Sequence, residues 1–481
     1  MLVVEINRAN FEYDVHSIVK AFYAEAQVAV ITPQTGEEKR AKSAEHIAIA
    51  IDLKDDGATV RMAQDEYQWK WNREETYKDG FKRFLYRTLC QVTGKTLPWG
   101  NLTGIRPTKI AYAMLEEGRT EQEILDFYER EHYVSREKAE LSIDIADRER
   151  KLLENVHYQD GYSLYIGIPF CPTTCMYCSF TSYPIAGYRK MVDSYVDAVI
   201  REMEYVSESF RDKILDSVYI GGGTPTTLEA EQLDRLIGSL KKLFDFSTVQ
   251  EFTVEAGRAD SITEEKLKVL YCHGVSRISV NPQTMKQETL DAIGRKASVT
   301  QVLAAYGLAR EVGFDNINMD LILGLPGELE ADVQNTIDRV VELNPDSLTV
   351  HSLAIKRASR LNQWIQENGV SMLHNTDETM RIAAEGAERL GMSPYYLYRQ
   401  KNMSGNFENV GYARPGKLGL YNILIMEEKQ TIVALGAGSI TKRVFPDGRI
   451  ERCDNVKDVK LYIEQIDEMI ERKRKLFEDF F

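Results

Sequence analysis

Cys171, Cys175 and Cys178 stand in FCPTTCMYCSF with the spacing C-x3-C-x2-C, and they are half of the six cysteines in a chain of 481 residues. Three thiolates this close in sequence can wrap one metal cluster, and thiolates are the protein ligands of iron–sulfur clusters. A structural zinc site closes with four protein ligands. No fourth is at hand, because the nearest histidine, His157, precedes the adjoining strand. A redox disulfide uses two cysteines, typically C-x-x-C. Three thiols without a fourth point to a 4Fe-4S cluster with one open iron, whose remaining ligand is a small molecule. Cys90, Cys272 and Cys453 are scattered and read as small buried hydrophobes.

Other polar residues fall where such a ligand would sit. Gly221-Gly222-Gly223-Thr224-Pro225 ends a strand, and its glycines let backbone approach a ligand closely. Glu255 closes the next strand in VEAGR, Gln283 the following one, and Asp320 lies in NMDLILGLPG. Carboxylates at strand ends suit ribose hydroxyls and cationic groups. Arg295, in IGR, offers a further polar contact.

The elements that would position these residues form a strand-then-helix rhythm. YSLYIGIPF, LDSVYIGGG, EFTVEAG, SRISVNPQ, FDNINMDLILG and DSLTVHSL read as strands, with helical segments such as DSYVDAVIREMEYV and EEKLKVLYC between them. Six such units imply a parallel sheet with helices outside. Six are too few for a closed eight-stranded barrel, so the expected fold is α/β, an open, partial (β/α)6 TIM-like barrel over residues 156–365. The cysteine loop then lies at the C-terminal end of the first strand, the face where such folds build active sites.

Residues 1–155 read as an α+β accessory domain. LVVEIN is a strand, FEYDVHSIVKAFY a helix, and HIAIAIDL and TVRMA flank a hairpin turn at Lys54-Asp55-Asp56-Gly57. YQWKWN alternates again, and residues 120–155 are charged and helical. Residues 366–481 are expected to form a region covering the substrate. It begins with a helix at 376–390 and ends in the amphipathic helix VKDVKLYIEQIDEMIERKRKLFEDFF.

The formal net charge of −14 argues against general binding to nucleic acid or anionic membrane. No run of about 18 apolar residues marks a membrane span. MLVVEINRANFEYDVHS does not read as a signal peptide. With so few cysteines there is no disulfide framework, and the expected compartment is the reducing cytoplasm.

The cysteine spacing resembles that of the radical S-adenosylmethionine (SAM) superfamily. YIGIPFCPTTCMYCSF, YIGGGTPTTL, SRISVNPQT, IGRK and NINMDLILGLPGE together resemble its oxygen-independent coproporphyrinogen III dehydrogenase family, most strongly over residues 160–355. LGAGSI at 435–440 extends the likeness. LPWGNLTGIRPTK and EAGR look most like a HemZ-like branch. The resemblance implies cluster ligands at Cys171, Cys175 and Cys178. It implies SAM contacts at Tyr165, Tyr177, Gly222, Gly223, Thr224, Glu255, Gln283, Arg295 and Asp320, with a second SAM in some members.

The implied reaction is oxidative decarboxylation of two propionates of coproporphyrinogen III to vinyls, giving protoporphyrinogen IX. A flavodoxin or ferredoxin would be the electron donor. Tyr165, Arg258 and Arg399 are the catalytic candidates, and Arg258, Arg399, Lys401 and Arg106 are cations for substrate carboxylates. Two departures stand out. Phe180 occupies the place of a further cysteine in the dehydrogenases, which resembles the haem-chaperone relatives. Those relatives have H-N-x-x-Y-W where this chain reads GKLGLYN (416–422). Alternative readings are therefore a haem-binding, chaperone-like protein and a radical SAM enzyme modifying another tetrapyrrole.

Overall fold

The computed structural model describes residues 2–23, 26–36, 47–355, 359–368, 373–400 and 407–478. Two compact units emerge: residues 1–147 with 397–408, and residues 148–396 with 409–481. The division falls at 147/148 rather than at 155, and a short C-terminal stretch groups with the N-terminal unit.

In the N-terminal unit, β1 (Leu2–Ile6), α1 (Glu12–Phe22), β2 (Val28–Ile31), β3 (Ile47–Leu53), β4 (Gly57–Met62) and β5 (Asp65–Lys70) are followed by α2 (Tyr77–Thr93), α3 (Thr108–Glu116) and α4 (Glu121–His132), and α5 (Arg136–Leu153) runs across the division. The sheet order is β2-β1-β3-β4-β5. Lys54–Gly57 forms the hairpin between antiparallel β3 and β4. Val15, Ile18 and Val19 of α1 and Phe81, Phe84 and Leu85 of α2 share one core with the sheet's apolar positions. Their i, i+3, i+4 spacing gives each helix a single buried stripe.

The larger unit carries the expected strands: β6 (Gly161–Ile168), β9 (Ile214–Gly222), β10 (Glu251–Gly257), β11 (Arg277–Gln283), β12 (Ile317–Leu323) and β13 (Ser347–Ser352). Two short strands, β7 (Phe170–Cys171) and β8 (Tyr183–Pro184), follow β6. The intervening helices are α6 (Val192–Ser209), α7 (Ala230–Leu243), α8 (Glu264–Cys272), α9 (Gln287–Ala292), α10 (Val299–Val312) and α11 (Glu330–Leu343). The six long strands pair in parallel, in chain order.

The remaining chain does not stand apart from this sheet. Its elements are α12 (Arg360–Asn368), α13 (Asp377–Arg389), β14 (Ser393–Tyr398), β15 (Asn409–Ala413), α14 (Leu420–Glu427), β16 (Thr431–Leu435), β17 (Ile440–Val444), β18 (Ile450–Asp454), α15 (Val459–Glu464) and α16 (Ile466–Leu476). β16 pairs with β6 as a seventh parallel strand, from Thr431↔Tyr162 to Leu435↔Ile166. The sheet order is β14-β15-β13-β12-β11-β10-β9-β6-β16-β17-β18. The final amphipathic stretch is broken into α15 and α16 at Gln465, whose ψ of 27° leaves helical geometry. Among the described residues no helix is long and apolar enough to cross a membrane.

A fully buried ion pair ties this last helix to α6. Lys473 of α16 places its Nζ 2.6 Å from Glu202 Oε1 of α6, with both side chains all but inaccessible. Glu202 also accepts from Tyr462 OH (2.6 Å), Asn455 Nδ2 (2.8 Å) and the Gly436 amide (2.9 Å). The loop after β16 is thereby held from beneath, and Gly438 of that loop packs on Thr181 of the cysteine segment.

Candidate active site

Each of the six long parallel strands, β6 and β9 to β13, repeats one short pattern: Ser163-Leu164-Tyr165, Ser217-Val218-Tyr219, Thr253-Val254-Glu255, Ser279-Val280-Asn281, Asn318-Met319-Asp320 and Thr349-Val350-His351. The middle residue is apolar and buried. The first and third share the opposite face, since strand side chains alternate. The third residue is in every case only partly buried amid an otherwise buried run.

Register joins these residues into one ring. Tyr165 pairs directly with Tyr219. Tyr219 pairs with Thr253, Glu255 with Ser279, Ser279 with Asn318, and Asp320 with Thr349. Between β9 and β10, β10 and β11, and β12 and β13 the next ring member lies two residues beyond the partner of the one before, whereas Asn281 and Asp320 are level. A tilted-strand barrel has this stagger. The ring Tyr165, Tyr219, Glu255, Asn281, Asp320 and His351 lines the interior, above a floor of small polar residues. Sequence reasoning finds Tyr165, Glu255 and Asp320 and misses Tyr219, Asn281 and His351. The once-per-strand tripeptide is the signal that would have found them.

The cysteine loop closes over the C-terminal end of β6. Phe170 pairs with Tyr183 and Cys171 with Pro184, which pinches the segment carrying Cys175 and Cys178. Each thiol has a polar neighbour: Thr224 Oγ1 at 3.5 Å from Cys171, Arg258 Nη1 at 3.7 Å from Cys175, and Ser182 Oγ at 3.9 Å from Cys178. Burial pushes the Cys171 thiol up to about 11, opposed by Thr224 and reinforced by the other two cysteines. Burial also raises Cys178. Thiols so placed ionise when a metal centre takes up their charge. Among the described residues no three His, Cys, Asp or Glu side chains converge as ligands of a single ion. Three thiols from one short loop are a donor set that fits a 4Fe-4S cluster. Phe180 is 76% exposed and packs into no core.

The glycine run fits tightly between its neighbours. A Cβ on Gly221 would lie 2.9 Å from Glu255 Oε1, and one on Gly223 would lie 2.6 Å from Phe170 O. Gly223 and Thr224 donate their amides to Ile168 O and Phe170 O, both at 2.7 Å. Glu255 accepts from Tyr219 OH at 2.5 Å. Burial pushes its carboxyl up to about 7, with Asp320 raising it further, while Tyr219 and the Gly222 amide draw it down.

Gln283 ends β11 with φ of 68°, an uncommon conformation for a side-chain-bearing residue, beside a register shift and Pro282. Among the described residues its Oε1 is buried without a hydrogen-bond partner, as are Asn281 Oδ1, Ser279 Oγ and Arg277 Nε on the same strand. Arg295 joins the Asn281 carbonyl to Tyr177 OH, the latter at 3.2 Å, and so links β11 to the cysteine loop. Asp320 Oδ1 accepts from Asn318 Nδ2 at 2.7 Å. Burial lowers the His351 pKa, opposed by Asp320 and by the hydrogen bond with Asn409. Tyr421, in the GKLGLYN stretch, stacks on Tyr219 at 4.5 Å and on Tyr165 at 5.9 Å.

Arg258 is engaged beneath the cysteine loop. It makes a two-pronged pair with Asp260 (2.9 and 2.7 Å) and donates to Thr173 O and Oγ1 (3.0 and 2.8 Å). This geometry supports the loop and leaves no fork for a substrate carboxylate. Arg399 belongs to the N-terminal unit, where it lies over the Trp99 ring at 5.6 Å and donates to Leu102 O at 2.7 Å. Burial pushes its pKa down to about 10. Arg106 also lies in the N-terminal unit, and Lys401 lies outside the described residues.

The radical SAM superfamily pattern matches residues 165–340. The chain is 38% identical to the oxygen-independent coproporphyrinogen-III oxidase-like protein HemZ of Bacillus subtilis (strain 168), over 97% of this chain and 95% of that protein. It is 31% identical to the heme chaperone HemW of Lactococcus lactis subsp. lactis (strain IL1403), over 58% of this chain and 69% of that one. The solved structure of coproporphyrinogen III oxidase (HemN) from Escherichia coli, a radical SAM enzyme, aligns with a TM-score of 0.52 at 24% identity. That alignment covers 67% of this chain and 73% of the other, and at such identity it speaks for the fold. The three-thiol loop and the parallel barrel agree with these likenesses, and the chain belongs to the radical SAM superfamily, among the oxygen-independent coproporphyrinogen-III oxidase-like proteins of the HemZ kind.

Proposed function

We propose that the protein is an oxygen-independent coproporphyrinogen III dehydrogenase acting in the cytoplasm. It would convert two propionates to vinyls, each by loss of one hydrogen to the 5′-deoxyadenosyl radical, of CO2 and of one electron to an acceptor, with one electron drawn from a flavodoxin- or ferredoxin-type donor to start each turnover. The observation that carries this reading is the polar ring beneath the cysteine loop. When bound, the cluster and SAM supply a 5′-deoxyadenosyl radical that removes hydrogen from substrate.

The chain's own residues would do the rest. Cys171, Cys175 and Cys178 hold the cluster, and Arg258 and Thr224 donate to their sulfurs. Gly222, Gly223 and Thr224 offer close backbone approach to SAM. Glu255, Gln283, Asp320 and Arg295 take its polar groups, with Tyr165 and Tyr177 beside them. The buried interior keeps water from a reactive intermediate.

Anaerobic assay of the reconstituted protein with SAM, reductant and coproporphyrinogen III should give 5′-deoxyadenosine and protoporphyrinogen IX together. The exposed Phe180 and the HemW relatives favour a second reading, heme binding. Deoxyadenosine without porphyrin product, together with tight heme binding, would select it.

Glu255 makes SAM binding pH-dependent on this reading. Its folded-state pKa, about 7, lies above its ordinary value of 4.5. The ligand-free fold therefore holds a proton there that the unfolded chain releases, and loses stability as pH rises through 7. Cationic SAM favours the carboxylate. Affinity should rise between pH 6 and 8, with proton release on binding near pH 6.5 seen by calorimetry in buffers of different ionisation enthalpy. Glu255→Gln should remove both effects.

A further inference from the structure

α14 links β15, beyond β13 in the sheet, to β16, beside β6, so it runs from one flank of the parallel strands to the other. Its N-cap residue is Gly419, which has no side chain to cap with. The carboxylate of Glu251, the first residue of β10, takes that place. Its Oε2 accepts from the amides of Leu420 and Tyr421, the latter at 3.2 Å. Thr253 Oγ1 donates to Glu251 Oε1 at 2.6 Å, and the buried Arg277 guanidinium attracts the carboxylate. A carboxylate suits a helix N-terminus because it meets unpaired N–H groups and the positive end of the dipole. Tyr421, the second residue of the helix, is thereby fixed where it meets the ring.

There it joins Tyr165 and Tyr219. The three ring centroids are 4.5, 5.9 and 6.2 Å apart and the planes 15–23° apart, an offset stacking that aromatic rings favour. Burial raises all three phenols, so Tyr219 keeps its proton and donates it to Glu255 Oε1. Where that hydroxyl lies depends on where the Tyr219 ring lies, and Tyr421 is the nearer of the two rings against it. The other charged groups acting on Glu255 are Asp320 of β12 and Arg277 of β11. We propose that Tyr219 and Tyr421 are positioning residues for SAM: Tyr421 fixes the Tyr219 ring, and Tyr219 fixes the Glu255 carboxylate through its hydroxyl. This rests on the assignment of Glu255 to SAM above and extends it to α14.

The test uses the full chain with its cluster reconstituted, without reductant, under anaerobic conditions. Equilibrium dialysis measures SAM binding across pH for the parent, Tyr219→Phe, Tyr421→Phe, Tyr421→Leu and the double variant Tyr219→Phe, Tyr421→Leu. Tyr219→Phe deletes a hydrogen bond that favours the ionised carboxylate, so the pH at which SAM affinity rises should move up by about one unit. Tyr421→Leu should weaken SAM binding roughly two- to ten-fold at pH 7, the order of one aromatic contact. Tyr421→Phe keeps the ring and should bind SAM as the parent does. In the Tyr219→Phe background, Tyr421→Leu should cost nothing more, because residues acting through one contact are not additive.

A tyrosine that merely fills the core would weaken SAM binding equally in both backgrounds and leave the pH response where it was. Equal losses in the two backgrounds, an unmoved pH response in Tyr219→Phe, or parent affinity in Tyr421→Leu would each overturn the proposal. If Tyr421→Leu does not fold, Tyr421→Met, whose flexible side chain fills irregular gaps, takes its place in the same cycle. Glu255→Gln separates the two levels. A Glu255→Gln protein with the parent's affinity and pH response would overturn the assignment of Glu255 to SAM, and the proposal with it. Loss in Glu255→Gln beside unaltered tyrosine variants would overturn the proposal alone.

Discussion

Cys175→Ala is expected to abolish the cluster's visible absorbance and SAM cleavage together, with deoxyadenosine formation falling to background. The thiol sits in a pinched loop, with Arg258 Nη1 3.7 Å from its sulfur, and no cysteine outside the three of this loop stands near enough in sequence to substitute. Iron content and absorbance after anaerobic reconstitution give the first reading, and chromatography of the SAM products the second. Retention of both would refute the ligand assignment. Because Arg258 keeps its Asp260 and Thr173 contacts in the variant, circular dichroism should match the parent. Loss of the cluster is then separable from loss of the fold.

The largest effect on stability should come from the ion pair between α6 and α16. Lys473→Met leaves Glu202 buried with its charge uncompensated, at a cost of about 3–5 kcal/mol. The urea midpoint should fall accordingly. The double substitution Lys473→Met, Glu202→Met removes both charges and should recover much of the loss, because an apolar pair of similar volume often equals a buried ion pair. A single variant as stable as the parent would contradict the geometry. The damage should also reach the site, because Glu202 accepts the Gly436 amide and the loop after β16 packs on Thr181. Cluster occupancy of the single variant should drop even below its unfolding midpoint.

The six core strands are legible in sequence because parallel strands buried on both faces read as apolar, β-branched runs between helical segments. The cysteine loop is legible because its spacing alone restricts the chemistry. β16 is not. TIVAL is five residues long, too short for periodicity to separate strand from buried helix, and its partner β6 lies far away in the chain. Arg258 and Arg399 illustrate a second limit. Their charge is visible in sequence, but their partners are Asp260, Thr173 and the carbonyl of Leu102, and only the fold shows that they are occupied. Gln465 illustrates a third: the amphipathic period runs through it, yet its backbone leaves helical geometry there.

β16 also sets an order of events. Translation at ~5–20 residues per second delivers β6 and the cysteine loop on the order of ten seconds or more before Thr431–Leu435 exists. Until then β6 has β9 on one side and a bare edge on the other, and exposed edges invite pairing with other chains. The loop after β16, which packs on Thr181, is missing for the same interval. The cysteines therefore receive their full support only when the last part of the chain has docked. Insertion of the metal centre is a step for the finished polypeptide, and a ribosome stalled before residue 431 would release a chain prone to aggregate.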